Sequence, residues 1–256
     1  MATTLDPILL AIVIAGLAML LFYLYVGSMA KVFAKIGFTK SEVGTILMVT
    51  LIFSGVNIPL FPYNGWWVGI NLGGALVPLV LCYLLVRSRR VSLAEGMIGV
   101  TIVATITYLV TRAEEGVGIV ADIPIAFAPA IAAGFYSVST FWIDIKKAAP
   151  LAYFSGILGT IIGADVFHLS EILAFEPPAD EFAMLSIGGA SIFDMVYITG
   201  IVAVFVDIFV FWVLRQERKF GFYGAMAEYQ KGAEELPYAK ETPAAPTLRP
   251  DRKGRV

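Results

Sequence analysis

Long stretches without a charged residue constrain this chain more than any other feature of its sequence. Only 15% of its 256 residues are charged. The charges form short clusters, separated by apolar runs of about 20 residues, the length that a helix needs to cross the hydrocarbon core of a bilayer. Hydrophobic residues make up 59% of the chain, above the roughly 45–50% of soluble domains. We therefore expect an all-α, polytopic transmembrane helix bundle rather than a soluble domain.

The apolar runs predict about seven spans. They cover residues 7–28, 43–61, 66–86, 94–111, 119–142, 149–174 and 183–213. The string NIPLFPYNG interrupts the second run, so a re-entrant segment within residues 43–65 is a local alternative. We expect one transmembrane domain over residues 1–220. Residues 221–256 are polar, rich in proline and without an apolar period, which predicts a disordered cytoplasmic tail.

The charged clusters alternate in sign from one end of the spans to the other. The basic clusters follow spans 1, 3, 5 and 7 and consist of Lys31, Lys35, Lys40, Arg87, Arg89, Arg90, Lys146, Lys147, Arg215, Arg218 and Lys219. Short basic loops stay in the cytoplasm. We therefore predict a multi-pass protein of the cell membrane with its N-terminus outside and its C-terminus inside.

Residue types exclude several classes of function. Cys82 is the only cysteine, so the chain has no intramolecular disulfide and no multi-thiolate metal site. A retinal Schiff base needs a lysine in the last span, and none lies between Met184 and Leu214. The net charge of −2 does not favour nucleic acid. The expected partners are the lipid bilayer and either a cation or a membrane peptide; cofactors and oligomeric state are left open.

Two aspartates form the main candidate site. Counted from the basic clusters at a rise of 1.5 Å per residue, Asp165 lies about 27 Å along span 6 and Asp194 about 31 Å along span 7. Consecutive antiparallel spans are expected to be neighbours, so the two carboxylates should lie at one level on adjacent helices. Ionisable residues at membrane depth are costly and usually functional. The alternative for Asp165 is a position at the outer interface.

Further polar residues are predicted near the same level. His168 and Glu171 follow Asp165 on one stripe of span 6, and Asp122 begins span 5, where an interfacial ion pair with Arg112 is the simpler explanation. The remaining candidates for substrate or ion binding are Asn57, Asn71 and Tyr197. Glu95 and Asp207 lie in the inner half near basic loops, where we expect surface ion pairs.

Glycines accompany these residues. Gly159 and Gly163 form a small-xxx-small pair in span 6, which allows close helix approach. Glycine pairs also occur at residues 73–74 and 188–189. They indicate either tight packing or broken helices whose backbone lines a site.

Three strings, NLGGALVPLVL, APLAYFSGILGTIIGAD and SIGGASIFDMVYITGI, resemble an uncharacterised prokaryotic family of integral membrane proteins, domain of unknown function sixteen-fourteen. The resemblance covers roughly residues 45–213 and implies no known activity. Shorter strings are similar to presenilin and signal-peptide-peptidase aspartyl proteases: Phe193-Asp194, Gly163-Ala164-Asp165 and, in part, Pro150-Leu151. The order of the two aspartate motifs along the chain is reversed here, and Ala164 replaces a glycine.

Three hypotheses for function follow, beside a purely structural subunit. In the first, Asp165 and Asp194, with His168 and Asp122 as further candidates, bind a cation or proton in an outward-open cavity of a transporter-like protein. In the second, the two carboxylates share a proton and act as general acid and base of an intramembrane aspartyl hydrolase. In the third, Asp165, His168, Glu171 and Asp194 bind a metal ion, with oxygen-rich ligation that suits Mg²⁺ or Mn²⁺.

Overall fold

The computed structural model describes residues 7–142, 144–177, 183–189 and 194–235. Its helices are α1 (Pro7–Lys35), α2 (Lys40–Ile52), α3 (Val77–Arg87), α4 (Leu93–Val110), α5 (Ala128–Thr140), α6 (Ile145–Thr160), α7 (Leu169–Ile172) and α8 (Met195–Glu235). A π-helical turn, Leu72–Leu76, precedes α3, and a second one, Ile161–Val166, follows α6. A 3₁₀ turn, Ile125–Phe127, precedes α5.

Four apolar helical segments are long enough to cross a bilayer. They are Val13–Lys35, Leu93–Val110, Ile145–Ile172 and Met195–Gln216. Three shorter apolar segments, Val43–Ile52, Leu72–Arg87 and Ile125–Thr140, occupy the places of predicted spans 2, 3 and 5. The count of seven spans and the orientation of the chain stay predictions.

The described chain is mostly helical, as expected, but it also contains five short strands. β1 (Asn57–Tyr63) pairs antiparallel with β2 (Trp66–Asn71), and β2 pairs parallel with β5 (Met184–Ile187). β3 (Thr111–Glu114) and β4 (Gly118–Ala121) form a separate hairpin. The ends of predicted spans 2 and 4 and the beginnings of spans 3, 5 and 7 therefore contain strand.

Local sequence explains the first hairpin. Pro59 and Pro62 lack the backbone N–H that a helix interior needs, and Asn64-Gly65 is a strong signal for a two-residue hairpin turn. Both turn residues have positive φ, 50° for Asn64 and 83° for Gly65, as a type I′ turn requires. The segment that interrupts the apolar pattern is thus a β-hairpin.

Helix α6 lies at the centre of the packed helices. It packs against α3, α4 and α5, and 72% of its most apolar stretch is buried, against 6% for α1. Its glycines allow this: a Cβ on Gly159 would lie 2.5 Å from Cβ of Val103, and one on Gly156 would lie 3.2 Å from Cα of Gly200. Large core side chains around it include Tyr153, Tyr197 and Phe33, each fully buried.

By its internal contacts the chain divides into two units, residues 1–211 and residues 212–256. Helix α8 extends to Glu235, so residues 221–235 are helical where the sequence predicts a disordered tail. Alanine, methionine, glutamate, glutamine and lysine are frequent in this stretch and are good helix formers. The rest of the predicted tail, residues 236–256, lies outside the described residues.

Candidate functional site

Asp165 and Asp194 both lie where regular helix is interrupted. Asp165 is part of the π-helical turn after α6, and Asp194 directly precedes α8. The negative charge of Asp194 acts unfavourably on an ionised Asp165. We call these two acids, the main candidates from the sequence, the Asp165–Asp194 pair.

One carboxylate oxygen of Asp165 has no hydrogen-bond partner among the described residues. Its Oδ2 atom is buried, and no group in the described part of the chain hydrogen-bonds to it. A buried carboxylate oxygen without a donor is costly, and each such atom in a folded protein needs an explanation. A proton, a cation or an ordered water would supply the missing interaction. π-Helical turns occur frequently at functional sites.

Asp194 caps a helix. Its Oδ1 accepts a hydrogen bond from the backbone N–H of Val196 at 2.9 Å, and its backbone carbonyl accepts the N–H of Ile198. An aspartate is favoured at this position by the free N–H groups and by the positive end of the helix dipole. The sequence analysis places Asp194 inside a continuous span, but the helix begins only at Met195, because β5 and a turn at Gly188 precede it.

Strands β2 and β5 lead into two segments of similar sequence. The string Asn71-Leu72-Gly73-Gly74-Ala75 begins with the last residue of β2, and the string Ser186-Ile187-Gly188-Gly189-Ala190 begins with the last two residues of β5. Since β2 and β5 pair in parallel, the two glycine pairs follow neighbouring strands. Gly188 has a φ of 72°, and a Cβ there would lie 2.7 Å from Cβ of Ala75. The sequence analysis noted both glycine pairs but not their repetition, which was visible in the strings.

Asn57 joins the two segments. Its Oδ1 accepts hydrogen bonds from Nδ2 of Asn71 at 2.9 Å and from Oγ of Ser186 at 2.7 Å, which occupy matching positions before the glycine pairs. Asn71, 1% exposed, also donates to the carbonyl of Ser54 and accepts the N–H of Gly74 at 2.7 Å. The predicted amides Asn57 and Asn71 are thus in contact. Hydrogen bonds to Asn57 connect the two strings that contain the glycine pairs.

His168 is buried away from solvent and hydrogen-bonded through both ring nitrogens. Nδ1 lies 2.8 Å from a carboxylate oxygen of Glu171, and Nε2 lies 3.0 Å from Oγ1 of Thr111. The same hydroxyl lies 2.7 Å from the carbonyl oxygen of Thr107, and the imidazole ring lies against Tyr108. Thr111 and Glu171 therefore occupy both ring nitrogens of His168.

Asp122 lies in an exposed ion pair. Arg112 donates to both of its carboxylate oxygens, at 2.7 and 3.2 Å, and also to Glu114 at 2.8 Å. These hydrogen bonds and the positive charge of Arg112 lower the pKa of Asp122. The structure therefore contains the Arg112–Asp122 ion pair that the sequence favours, at the β3–β4 hairpin.

Tyr197 lies inside the bundle. Its side chain is fully buried, and its hydroxyl lies 3.3 Å from Oγ1 of Thr50 at the end of α2. It thereby connects α8 to the region of the first glycine pair, where a Cβ on Gly73 would lie 2.5 Å from the carbonyl oxygen of Thr50.

Asp207 contradicts the expectation of a surface ion pair. Its side chain is fully buried. Oδ1 lies in hydrogen-bond contact with Oγ of Ser137 at 2.7 Å, and Oδ2 has no hydrogen-bond partner among the described residues. The sequence analysis misplaced it because Arg215 follows two turns later on the same helix. Its position in the middle of an apolar run was the signal that could have found it.

The proposed set of metal ligands is not assembled. In the ranges that the structure describes, no three histidine, cysteine, aspartate or glutamate side chains form a group that could hold a metal ion. His168 lies against Thr111 and Glu171, which occupy both of its ring nitrogens. The geometry therefore does not support the metal-dependent enzyme.

Residues 40–206 match the protein family described as "Protein of unknown function (DUF1614)". The matched segment is well over half of the chain. The chain belongs to the DUF1614 family. The resemblance of the three strings to this family is thereby confirmed. No curated protein and no solved structure matches the chain.

The DUF1614 segment contains all the residues that the sequence offers as site candidates. They are Asn57, Asn71, Asp122, Asp165, His168, Asp194 and Tyr197. Asp207 is the first residue after the matched segment. Because the description of the family names no activity, the function has to be argued from the site itself.

Proposed function

We propose that the chain is a multi-pass protein of the cell membrane that binds a proton or a monovalent cation at the Asp165–Asp194 pair and couples this binding to transport. The observation that supports the proposal is the buried Oδ2 of Asp165. It has no donor in the described part of the chain, and the carboxylate of Asp194 repels it. A bound positive ion satisfies this oxygen and removes the repulsion at the same time.

The surroundings of Asp165 favour a mobile ion. Within the described residues, the ion pairs of lysine, arginine and histidine are those of Arg112 and His168, and none includes Asp165. A fixed arginine or lysine would neutralise the site permanently. A proton or a cation can instead enter and leave, which is what acidic residues in transport pathways do.

Interruptions of regular helix near the two aspartates also favour transport. Transporters commonly form substrate and ion sites where spans are interrupted and the backbone of half-helices is exposed to a cavity. Here the π-helical turn holds Asp165, the start of α8 holds Asp194, and parallel β2 and β5 each lead into a glycine pair. Asn57 joins these two segments through Asn71 and Ser186.

Ion flux through reconstituted liposomes tests the proposal. We would load liposomes with a pH-sensitive dye, apply a membrane potential and follow proton entry, with radioactive Na⁺ uptake as a parallel measurement. Wild-type protein should carry one of the two ions. Asp165→Asn, which keeps the size of the side chain but removes its charge, should lower the flux by about a hundredfold.

Asp122→Asn is the matched control, because it makes the same chemical change at an exposed ion pair. It should retain the wild-type flux. Unfolding temperatures of both variants would show that each is folded. Equal flux in wild type and Asp165→Asn, or no flux of either ion through the wild-type protein, would contradict the proposal.

An intramembrane aspartyl hydrolase is the second candidate. The electrostatic contact between the two carboxylates favours it, because such an enzyme needs two acids that share a proton. The use of Asp194 Oδ1 as a helix cap favours ion binding instead. A photoreactive peptide with a hydroxyl group that mimics the tetrahedral intermediate should label the wild-type protein and not Asp165→Asn if the hydrolase is correct. Absence of labelling would exclude it.

A further inference from the structure

Asp207 and Ser137 form a second polar site within the helices, which we call the Asp207–Ser137 pair. Asp207 lies on α8 and Ser137 on α5, and both side chains are fully buried. The helices approach closely here: a Cβ on Gly134 would lie 2.6 Å from Cγ1 of Val206. The pair is separate from the Asp165–Asp194 pair, since Asp207 lies about 20 Å farther along α8 than Asp194 at 1.5 Å per residue.

Counting hydrogens determines the state of Asp207. Oγ of Ser137 lies 2.8 Å from the carbonyl oxygen of Gly134 and 2.7 Å from Oδ1 of Asp207. A serine hydroxyl has a single hydrogen, whereas both of these neighbours, if Asp207 is ionised, only accept. An ionised Asp207 would therefore leave one of two short oxygen–oxygen contacts without a hydrogen. A proton on Asp207 completes both contacts: the acid donates to Ser137, and Ser137 donates to Gly134.

Burial and charge agree with this count. Asp207 Oδ2 is buried without a partner among the described residues, and an ionised carboxylate in an apolar interior is very costly unless it is paired. Asp207 is the only charged residue of α8 between Met195 and Leu214, and α5 has none. The charged residues of α6 are Lys146 and Lys147 in its first turn, and Lys147 lies over the ring of Phe141. Helix α4 contributes only Glu95.

We propose that Asp207 holds a proton as a neutral carboxylic acid and forms, with Ser137, a second proton-binding site of the bundle. The ligand is a proton rather than a metal cation. A metal cation needs several oxygen ligands, whereas the hydroxyl of Ser137 is the only group in the described part of the chain that hydrogen-bonds to this carboxyl group.

Two buried hydroxyls lie between the two acidic sites. The contact of Gly156 with Gly200 sets the register of α6 against α8. Asp194 and Asp207 lie about 9 and 10 Å from Gly200 in opposite directions along α8, while Tyr153 and Thr160 lie within about 6 Å of Gly156 along α6. Both hydroxyls lack a partner among the described residues, and ordered waters usually satisfy such groups. A role of Asp207 in passing protons to the Asp165–Asp194 pair rests on the proposed function; its protonation does not.

Infrared spectroscopy of the purified full-length protein tests the proposal at neutral pH. A neutral carboxylic acid has a carbonyl stretching band that an ionised carboxylate lacks. We expect the wild-type protein to show such a band and Asp207→Asn to lose it. Ser137→Ala should keep the band at a shifted frequency, because the acid loses its hydrogen-bond acceptor. Ser155 is also fully buried, and its hydroxyl hydrogen-bonds to the carbonyl oxygens of Leu151 and Ala152. Ser155→Ala should therefore leave the band unchanged.

An acid band that is the same in wild type and Asp207→Asn would overturn the proposal. If Asp207→Asn does not fold, an unshifted band in Ser137→Ala would overturn it. The flux assay is independent: Asp207→Asn should lower proton flux by about tenfold or more if Asp207 passes protons. An infrared band that depends on Asp207, without any flux, would contradict the proposed transport and leave this site intact.

Discussion

In the Asp165–Asp194 pair the acids stand on irregular backbone, whereas Asp207 and Ser137 stand within the regular helices α8 and α5. Each site has a buried carboxylate oxygen without a partner among the described residues. The first site holds two acids that repel each other. The second holds one acid in a short chain of hydrogen bonds that ends on the carbonyl of Gly134.

This difference separates two ways of keeping an acid inside an apolar bundle. Two repelling carboxylates gain from any positive ion that binds to them. A single protonated acid between close-packed helices already has its hydrogen-bond acceptor, so its proton takes part in a hydrogen bond between the two helices. We therefore expect the first site to exchange its ion easily and the second to tolerate structural change poorly.

Gly163→Val should have the largest effect and should act on the first site. Gly163 lies in the π-helical turn beside Asp165, and a Cβ there would clash with the carbonyl oxygen of Ala104. Overpacking of this kind costs about 1–3 kcal/mol and should displace Asp165. Thermal unfolding in detergent, with ion flux as a second readout, would check this. Gly16→Val is the control, because nothing lies within 4 Å of a Cβ at Gly16; equal unfolding temperatures for the two variants would count against the packing described.

Ser137→Ala should have an intermediate effect and should act on the second site. It leaves Asp207 buried without its hydrogen-bond partner, which costs about 1–3 kcal/mol. Ser155→Ala should cost less, because the partners of Ser155 within the described residues are carbonyl groups one turn earlier in its own helix. Denaturant unfolding of the two variants measures the difference. If they are equally stable, the bond to Asp207 contributes nothing.

Asp122→Asn should have the smallest effect and shows what an exposed acid does in the same chain. Arg112 lowers the pKa of Asp122 in the folded protein, so the pair stabilises the fold above the ordinary carboxyl pKa and is lost as the pH falls through the lowered value. Because both side chains are exposed, we expect no measurable change in unfolding temperature at neutral pH. A scan of unfolding temperature against pH for wild type and variant would check this; a large difference at neutral pH would contradict it.

The fold could be predicted where it consists of long apolar helices. Uncharged runs predict helices, and the four long ones are present. Runs of the same composition around Asn57–Tyr63 and Met184–Ile187 are strands instead. Composition does not distinguish the two there, because turn residues and prolines decide: Asn64-Gly65 was readable as a hairpin turn. The pairing of β2 with β5 is a contact between distant segments that a single sequence does not encode locally.

The sequence indicates the Asp165–Asp194 pair more readily than the Asp207–Ser137 pair, and the reason is physical. Asp165 and Asp194 attract attention together, because the sequence places two acids at similar heights on consecutive predicted spans. The partner of Asp207 is a serine on another helix, and a serine in an apolar run carries no such signal. His168 was assigned to the acidic site by its spacing from Asp165. Its ring contacts Glu171, as the i+3 spacing predicts, and also Thr111, a residue of another segment that spacing along one helix does not predict.

The most direct test of the account is a double-mutant cycle of ion flux on Asp165→Asn and Asp194→Asn. Two residues that bind one ion act as a unit, and the effects of changing such residues are strongly non-additive. We predict that each single variant and the double variant lose flux to the same extent, while all three remain folded. Wild-type flux in Asp194→Asn, or two losses that multiply in the double variant, would contradict a shared ion site.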